Sequence, residues 1–334
     1  MSFTIFITAK TLALPGMQRL ESAGCKLLFM ERANSADEVY RVLHSEPVDG
    51  IISRSVDLSG DAIRACPTLK VISKHGVGVN NIDVEAATHR NIPVYVTPSA
   101  NTQSVAELTV GLMLAAARRI SFLDRELHAG RWSRLQDGMQ LGGRRLGLLG
   151  FGQIGQRVAT VCLGLGMRVF AFDPALKGPN PIAAVSLVSS IGDLLRQSDV
   201  LSLHVPLTEH TRKLIGAVEL ALLPAQAILI NTARGEVVDE EALVLALRNG
   251  TLFAAGLDAL TEEPLPSNSP LVSLTNVVLT PHIGASTSAA LDAMAEAAAA
   301  NVLGHLFGNT ADLGNCVNPD VLTNHQKESA DDHR

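Results

Sequence analysis

The segment Gly150-Phe151-Gly152-Gln153-Ile154-Gly155 follows the apolar run Arg145–Leu149. It opens a stretch whose apolar positions Ile154, Val158, Val161, Cys162 and Leu165 recur at helical spacing. Strand, glycine turn and helix in that order are the start of a βαβ unit, which commits the surrounding chain to a parallel sheet. The glycines allow a tight turn and the close approach of a pyrophosphate, whose charge is met by unpaired N–H groups at the helix start. The next strand, Arg168–Phe172, ends in Asp173, at about the 20-residue spacing of the acid that accepts ribose hydroxyls. A carboxylate there repels a 2′-phosphate, so the expected cofactor is NAD rather than NADP. The alternative for Asp173 is a strand-end cap or turn residue, since Pro174 follows it.

The rest of the chain repeats the pattern. RLGLLG, RVFAFD, DVLSLHV, AILINTA, FAAGLDA and NVVLTPH after residue 145 each read as a strand, with helix-like stretches between them. In the first hundred residues, Thr4–Thr8, Gly50–Ser53, Val71–Ser73 and Val94–Thr97 alternate with helical spacing such as Ala36–His44. A long helix is expected over Gln103–Arg119, opened by the capping cluster Asn101, Thr102 and Ser104 and followed by the polar segment Leu127–Gly143. The last helix is expected over Ala289–Leu306, stopping near Gly308. If that helix reaches back, the first domain is split: 1–98 plus 288–318, with 99–287 as the inserted dinucleotide-binding domain and 319–334 as a loose tail. The fold class is α/β, two domains with doubly wound parallel sheets.

Composition narrows the function. The 334 residues carry a net charge of −6 with 18% charged residues, which offers no basic excess for a nucleic-acid backbone. Hydrophobic residues reach 47% with nine Phe, two Tyr and one Trp, so the core is built from aliphatic side chains, as buried parallel strands require. Cys25, Cys66, Cys162 and Cys316 show no C-x-x-C spacing and read as reduced thiols, with no metal site. The start MSFTIFITAK lacks a basic region and a long apolar stretch, and no run reaches membrane-spanning length, so a cytoplasmic protein without membrane contact is expected.

Near the ends of later strands lie Arg234 in NTARGE, Glu263 in GLDALTEEP and His282 in TPHIGAS. Reduction of a 2-keto acid calls for a cation on the substrate carboxylate, a proton donor for the carbonyl oxygen and a nicotinamide. Arg234 and His282 suit the first two, and Glu263 would orient the imidazole and favour its charged form. Singly, each has a plainer reading: a surface ion pair, a loop acid, a histidine satisfied within the fold.

The motifs HGVGVNNID (75–83), NTQSVAEL (101–108), LGLLGFGQIG (146–155), FDP (172–174), HVPLT (204–208), NTARGEVVDE (231–240), GLDALTEEPLP (256–266) and TPHIGAST (280–287) together resemble the D-isomer-specific 2-hydroxyacid dehydrogenases. The likeness extends from Gly50 to about Asn318 and is greatest to the phosphoglycerate dehydrogenase and hydroxypyruvate/glyoxylate reductase branches. It implies two Rossmann-like domains with the split arrangement above, and the catalytic set Arg234, Glu263 and His282. Cofactor contacts are implied at Val77, Gly150, Gly152, Gln153, Ile154, Gly155, Asp173, Val205, Thr232, Ala233, Asp258, Gly284 and Ala285, with Asp258 near the nicotinamide carboxamide. The amides of Gly76, Val77 and Gly78 are implied to hold the substrate carboxylate. Asn80 departs from the Asp of many relatives.

Arg54 and Lys74 would bind a second anionic group at the far end of the substrate, which favours a phosphorylated or otherwise dianionic acid. The resemblance also implies a homodimer through helix 103–119 and the following arm, with Arg134 of Gly130-Arg131-Trp132-Ser133-Arg134 directed at the partner's site. Solvated surface cations are the alternative for all three. The expected activity is NAD-dependent oxidoreduction of a small D-2-hydroxy acid or 2-keto acid with an anionic tail, 3-phosphoglycerate-like. The alternatives are a hydroxypyruvate/glyoxylate reductase and, in another class, an NAD-sensing corepressor-like binding protein. Formate dehydrogenase is discounted because its relatives carry Gln at the position of Glu263.

Overall fold

The structure is a computed structural model that describes residues 2–134, 137–308 and 313–322. The described residues of Met1–Asn101 and Thr287–Arg334 form one compact unit, and Thr102–Ser286 forms another. The divisions fall at helix starts instead of 98/99 and 287/288: Thr287 caps the last helix by accepting the N–H of Ala290, so it belongs with the unit that holds that helix.

The first unit contains β1 (Thr4–Ile7), β2 (Lys26–Phe29), β3 (Gly50–Ser53), β4 (Val71–Lys74) and β5 (Val94–Tyr95), parallel throughout in the order β2-β1-β3-β4-β5. Ile5, Phe6, Ile7, Ile51 and Ile52 are fully buried, which is why β1 and β3 read as unbroken apolar runs. Around the sheet lie α1 (Leu14–Ser22), α2 (Ala36–Ser45), α3 (Gly60–Ala65), α4 (Val84–His89) and the C-terminal α11 (Ser288–Leu306). The alanines of α11 let it pack closely. Gly16 of α1 meets it where an added Cβ would stand 2.7 Å from the Ala295 carbonyl oxygen. Asn301 of α11 donates to Ser73 Oγ at 3.2 Å and to the Val96 carbonyl at 3.0 Å, which ties the returning helix to β4 and the end of β5.

The chain does not become loose at Asn318. Asn318 accepts the N–H of Val94 and donates to the Ile92 carbonyl and Thr88 Oγ1, and Val321 is 2% exposed. Two buried anchors therefore hold residues 318–322 on the first unit, and the remainder of the expected tail lies outside the described residues.

The second unit contains β6 (Arg145–Leu149), β7 (Arg168–Phe172), β8 (Val185–Leu187), β9 (Val200–Leu203), β10 (Ala227–Asn231), β11 (Leu252–Leu257) and β12 (Val277–Leu279). They pair in the order β12-β11-β10-β9-β6-β7-β8, again all parallel. The direction of progression reverses between β6 and β9, and this switch point is where such sheets bind ligands. Helices α5 (Thr102–Ala117), α6 (Ile120–His128), α7 (Gln153–Gly164), α8 (Ile191–Arg196), α9 (Ala217–Leu222) and α10 (Glu240–Arg248) accompany the strands. The expected helix 103–119 ends early because Arg119 turns left-handed, with φ 53°, and α6 begins at once.

The edge strands β2 and β8 carry no strong signal in the sequence. Both present side chains to solvent, as Lys26, Ser186 and Leu187 do, so neither needs the doubly buried apolar run of a central strand. No described helix is long and apolar enough to cross a membrane. Gly16→Ala should destabilise the first unit by about 1–3 kcal/mol, the usual cost of an extra methyl in a filled contact. Urea unfolding of the variant checks this, and an unchanged midpoint would refute the close α1–α11 contact.

Candidate active site

Each glycine of the 150–155 turn has a separate physical task. Gly150 has φ 95°, and a Cβ on it would stand 2.5 Å from the His204 carbonyl oxygen. Gly155 packs on the Gly150 carbonyl, where a Cβ would come within 2.6 Å. At Gly152, the N-cap of α7, an added Cβ meets nothing within 4 Å, and no side chain caps the helix. Open space in front of free helix N–H groups is the cradle a dinucleotide pyrophosphate needs, so these residues fit NAD.

Asp173 accepts the N–H of Phe151 and of Ala175, both at 2.8 Å. Its carboxylate thus joins the glycine turn to the end of β7. Gln153 accepts from Thr102 Oγ1 at 3.2 Å, and Thr232 shares a 2.8 Å hydroxyl hydrogen bond with Thr109 of α5. Ile154, Val205 and Ala233 are partly buried against the unit's apolar core.

The structure brings Glu263 and His282 together. His282 Nδ1 lies 2.8 Å from Glu263 Oε2 and 3.1 Å from Oε1, and Glu263 Oε1 also accepts the N–H of Leu260. Burial pushes the Glu263 carboxyl up. The hydrogen bonds from His282 and Leu260, with the Arg234 charge, outweigh it and hold the pKa below the ordinary value. Arg234 is near enough to Glu263 to exchange charge stabilisation with it, while burial lowers the guanidinium pKa.

Gly235 permits that approach. A Cβ on it would stand 2.0 Å from the Leu260 backbone carbon, so the loop carrying Arg234 and the loop leading to Glu263 can touch only through a glycine. His282 has φ 52°, a conformation that costs a non-glycine residue energy. Asp258, 2% exposed, holds it there: its carboxylate accepts Thr280 Oγ1 at 2.6 Å and the N–H groups of Ile283 and Gly284 at 2.8 Å. Ala285 follows, half-buried.

Among the residues expected to bind substrate, Gly76 has φ 131°, and its N–H donates to Thr97 Oγ1 at 2.9 Å. Val77 is 44% exposed, and Gly78 is partly buried. Lys74, the other cation expected at the substrate tail, is partly buried. Its ammonium donates to the Arg54 carbonyl and to Asn81 Oδ1, because these acceptors lie within reach of a side chain turned into the fold. The Arg134 guanidinium lies 5.7 Å from the centre of the Trp132 ring, which is 76% exposed; residues 135 and 136 lie outside the described residues.

Sequence reasoning assigned no role to His204, Asn81 or Gly235. Asn81 donates to Ser53 Oγ and to the carbonyls of Arg54 and Val56, which fixes the turn after β3. His204 closes β9 beside β6: its N–H donates to the Leu149 carbonyl at 2.7 Å, and its Nε2 shares a 2.9 Å hydrogen bond with Ser202 Oγ. Each sat inside a quoted motif, but the contacts to Leu149, Leu260 and the turn after β3 are remote in the chain and left no local signal.

Burial pushes the His204 pKa down to about 4. The unfolded chain takes up this proton near pH 6.5, so stability should be lost as pH falls from about 6.5 towards 4, by up to about 3 kcal/mol. Urea unfolding at pH 7 and pH 4.5 should show a smaller loss in His204→Gln than in the parent protein; equal losses would contradict the assignment.

The family described as D-isomer specific 2-hydroxyacid dehydrogenase, NAD binding domain, matches residues 110–284. The chain is 43% identical over 272 residues to the D-3-phosphoglycerate dehydrogenase of Methanocaldococcus jannaschii, a match covering 80% of this chain and 51% of that relative. It thus spans about half the length of that protein. It is 40% identical over 301 residues to the glyoxylate reductase of Aeropyrum pernix, covering 88% of this chain and 86% of the relative. The crystal structure of the TT0316 protein from Thermus thermophilus is similar with a TM-score of 0.86 and 37% identity, over 94% of this chain and 100% of that one. A dinucleotide turn at a sheet switch point, beside loops that pair a carboxylate with an imidazole, thus has its explanation in ancestry: the chain belongs to the D-isomer specific 2-hydroxyacid dehydrogenase family of NAD-dependent oxidoreductases.

Proposed function

We propose that the protein interconverts a small D-2-hydroxy acid and its 2-keto acid, and that its substrate carries an anionic tail. The observation that carries the reading is the 2.8 Å contact between His282 and Glu263, with Arg234 in electrostatic reach, in the unit that holds the dinucleotide turn. Bound NAD would supply or accept the hydride. His282 gives a proton to the carbonyl oxygen in reduction and takes one from the hydroxyl in oxidation. Glu263 holds Nδ1 and leaves the other ring nitrogen for substrate. Arg234 binds the carboxylate and polarises the carbonyl. Support for a role of the Gly76–Gly78 amides in carboxylate binding comes from the positive φ of Gly76 and the exposure of Val77.

Asp173 supports NAD over NADP, since its carboxylate would meet a 2′-phosphate with repulsion. The tail is assigned to an anion because of Arg54, and because a relative bears the name D-3-phosphoglycerate dehydrogenase. A glyoxylate or hydroxypyruvate reductase is the second reading, favoured by the 88% coverage of this chain in its match to the Aeropyrum enzyme. Four unpaired cysteines suit a reducing, cytoplasmic setting.

The partner is assigned as a second copy of this chain. Helix α6 has no buried residue, although it is amphipathic, and Ile120, Leu127 and Trp132 are 53%, 54% and 76% exposed. Continuous with the apolar α5, this surface suits a twofold interface. Arg134, next to Trp132, is the candidate for reaching the partner's site.

NADH oxidation with glyoxylate, hydroxypyruvate and phosphohydroxypyruvate tests the activity, with NADH expected to outperform NADPH. His282→Ala should reduce turnover about 10²–10⁴-fold. Unchanged turnover in the variant would remove His282 from the chemistry. Leu127→Glu with Trp132→Glu should shift sedimentation from dimer to monomer; a monomeric parent protein would refute the interface.

A further inference from the structure

Ser202 is the one polar residue of β9, and it lies where a sheet core has no use for a hydroxyl: fully buried, between Leu148 of β6 and Ile230 of β10. Its Oγ is 2.9 Å from Nε2 of His204, two residues on, which the alternation of a strand puts on the same face. The hydroxyl proton has no other acceptor among the described residues. A buried hydroxyl that donates to nothing costs free energy, so Ser202 donates and Nε2 accepts. Burial keeps the imidazole neutral, and a neutral ring whose Nε2 accepts carries its single proton on Nδ1.

That proton is not used by the fold. Nδ1 of His204 has no hydrogen-bond partner among the described residues, yet unlike Nε2 of His75 or the Tyr95 hydroxyl it is not sealed from water. The ring stands against the glycine turn. Its Cδ2 is 3.7 Å from where a Cβ on Gly155 would sit, while the backbone of the same residue crowds Gly150. A fixed, unspent N–H donor therefore lies beside the open start of α7, within the second unit.

We propose that His204 is a cofactor-binding residue whose Nδ1–H donates to an oxygen of the NAD pyrophosphate, and that Ser202 is a positioning residue that holds the imidazole in the tautomer able to do so. The inference rests on NAD as the cofactor and is independent of which acid is the substrate. A neutral donor suits this place, because it binds an anion without leaving a desolvated cation in the fold when no cofactor is bound. The other tautomer would turn a lone pair towards the phosphate oxygens and repel them. One serine hydroxyl inside the sheet thus decides the sign of the contact.

The test combines nitrogen NMR with binding of two probes: ADP-ribose, which carries the pyrophosphate, and adenosine, which does not. In the cofactor-free parent protein His204 should be protonated at Nδ1 and bare at Nε2, and the Nδ1 resonance should move on addition of ADP-ribose but not of adenosine. His204→Phe should weaken ADP-ribose binding by about 10–100-fold, the scale of one hydrogen bond to a charged group, and adenosine binding by less than about twofold. His204→Asn, whose amide offers a donor near the place of Nδ1, should recover most of the loss. Ser202→Ala should weaken ADP-ribose by a smaller factor and populate both tautomers. A proton on Nε2 in the parent protein, equal losses on the two probes, or no recovery in His204→Asn would overturn the proposal. A parent protein that does not bind ADP-ribose would instead overturn NAD as the cofactor.

Discussion

A single buried carboxylate holds the candidate catalytic loop in shape. Asp258 has almost no contact with water, and its oxygens are met by a threonine hydroxyl and two backbone N–H groups from the loop after β12. Those bonds compensate the ion for lost solvation and hold His282 in a left-handed conformation that the residue would not adopt by itself. Because His282 is fixed, its Nδ1 faces Glu263. The orientation of the imidazole thus depends on an acid that need not touch the reacting atoms.

The two sheets apply one rule to different chemistry. Each reverses direction once, and residues with exceptional environments stand at the strand ends beside each reversal. In the second unit these are the glycine turn after β6 and His204 after β9, packed so closely that a side chain at Gly150 would overlap the His204 carbonyl. In the first unit Arg54 stands at the reversal, with Asn81 bonding the turn that carries it. One unit offers backbone N–H groups and open space; the other offers a half-buried guanidinium.

Legibility followed burial and locality. Strands β3 and β6 coincide with their apolar runs because both faces are buried and the pattern needs no help from distant residues. Strands β2 and β8 were illegible because an edge strand exposes a face and its composition relaxes accordingly. Arg119 contains no breaker residue, so its left-handed turn, which separates α5 from α6, was also hidden. Asn318, polar and near the end of the chain, gave no hint that its amide closes three hydrogen bonds to the segment around β5.

What the amino-acid order determined alone was the set of local rules: alternating strands and helices, a glycine turn that only glycines can make, an acid after the second strand of the dinucleotide unit, and an arginine, a glutamate and a histidine in motifs that suit hydride chemistry. Only the tertiary structure decided which of these groups meet, which way they face and which are already occupied. Lys74 and Arg54 look alike in the sequence, yet the ammonium donates to Asn81 and a backbone carbonyl while the guanidinium has no carboxylate partner among the described residues. The physical reason is that the availability of a charge depends on contacts made across the sheet by residues remote in the chain, and desolvation, unlike periodicity, leaves no mark on neighbouring letters.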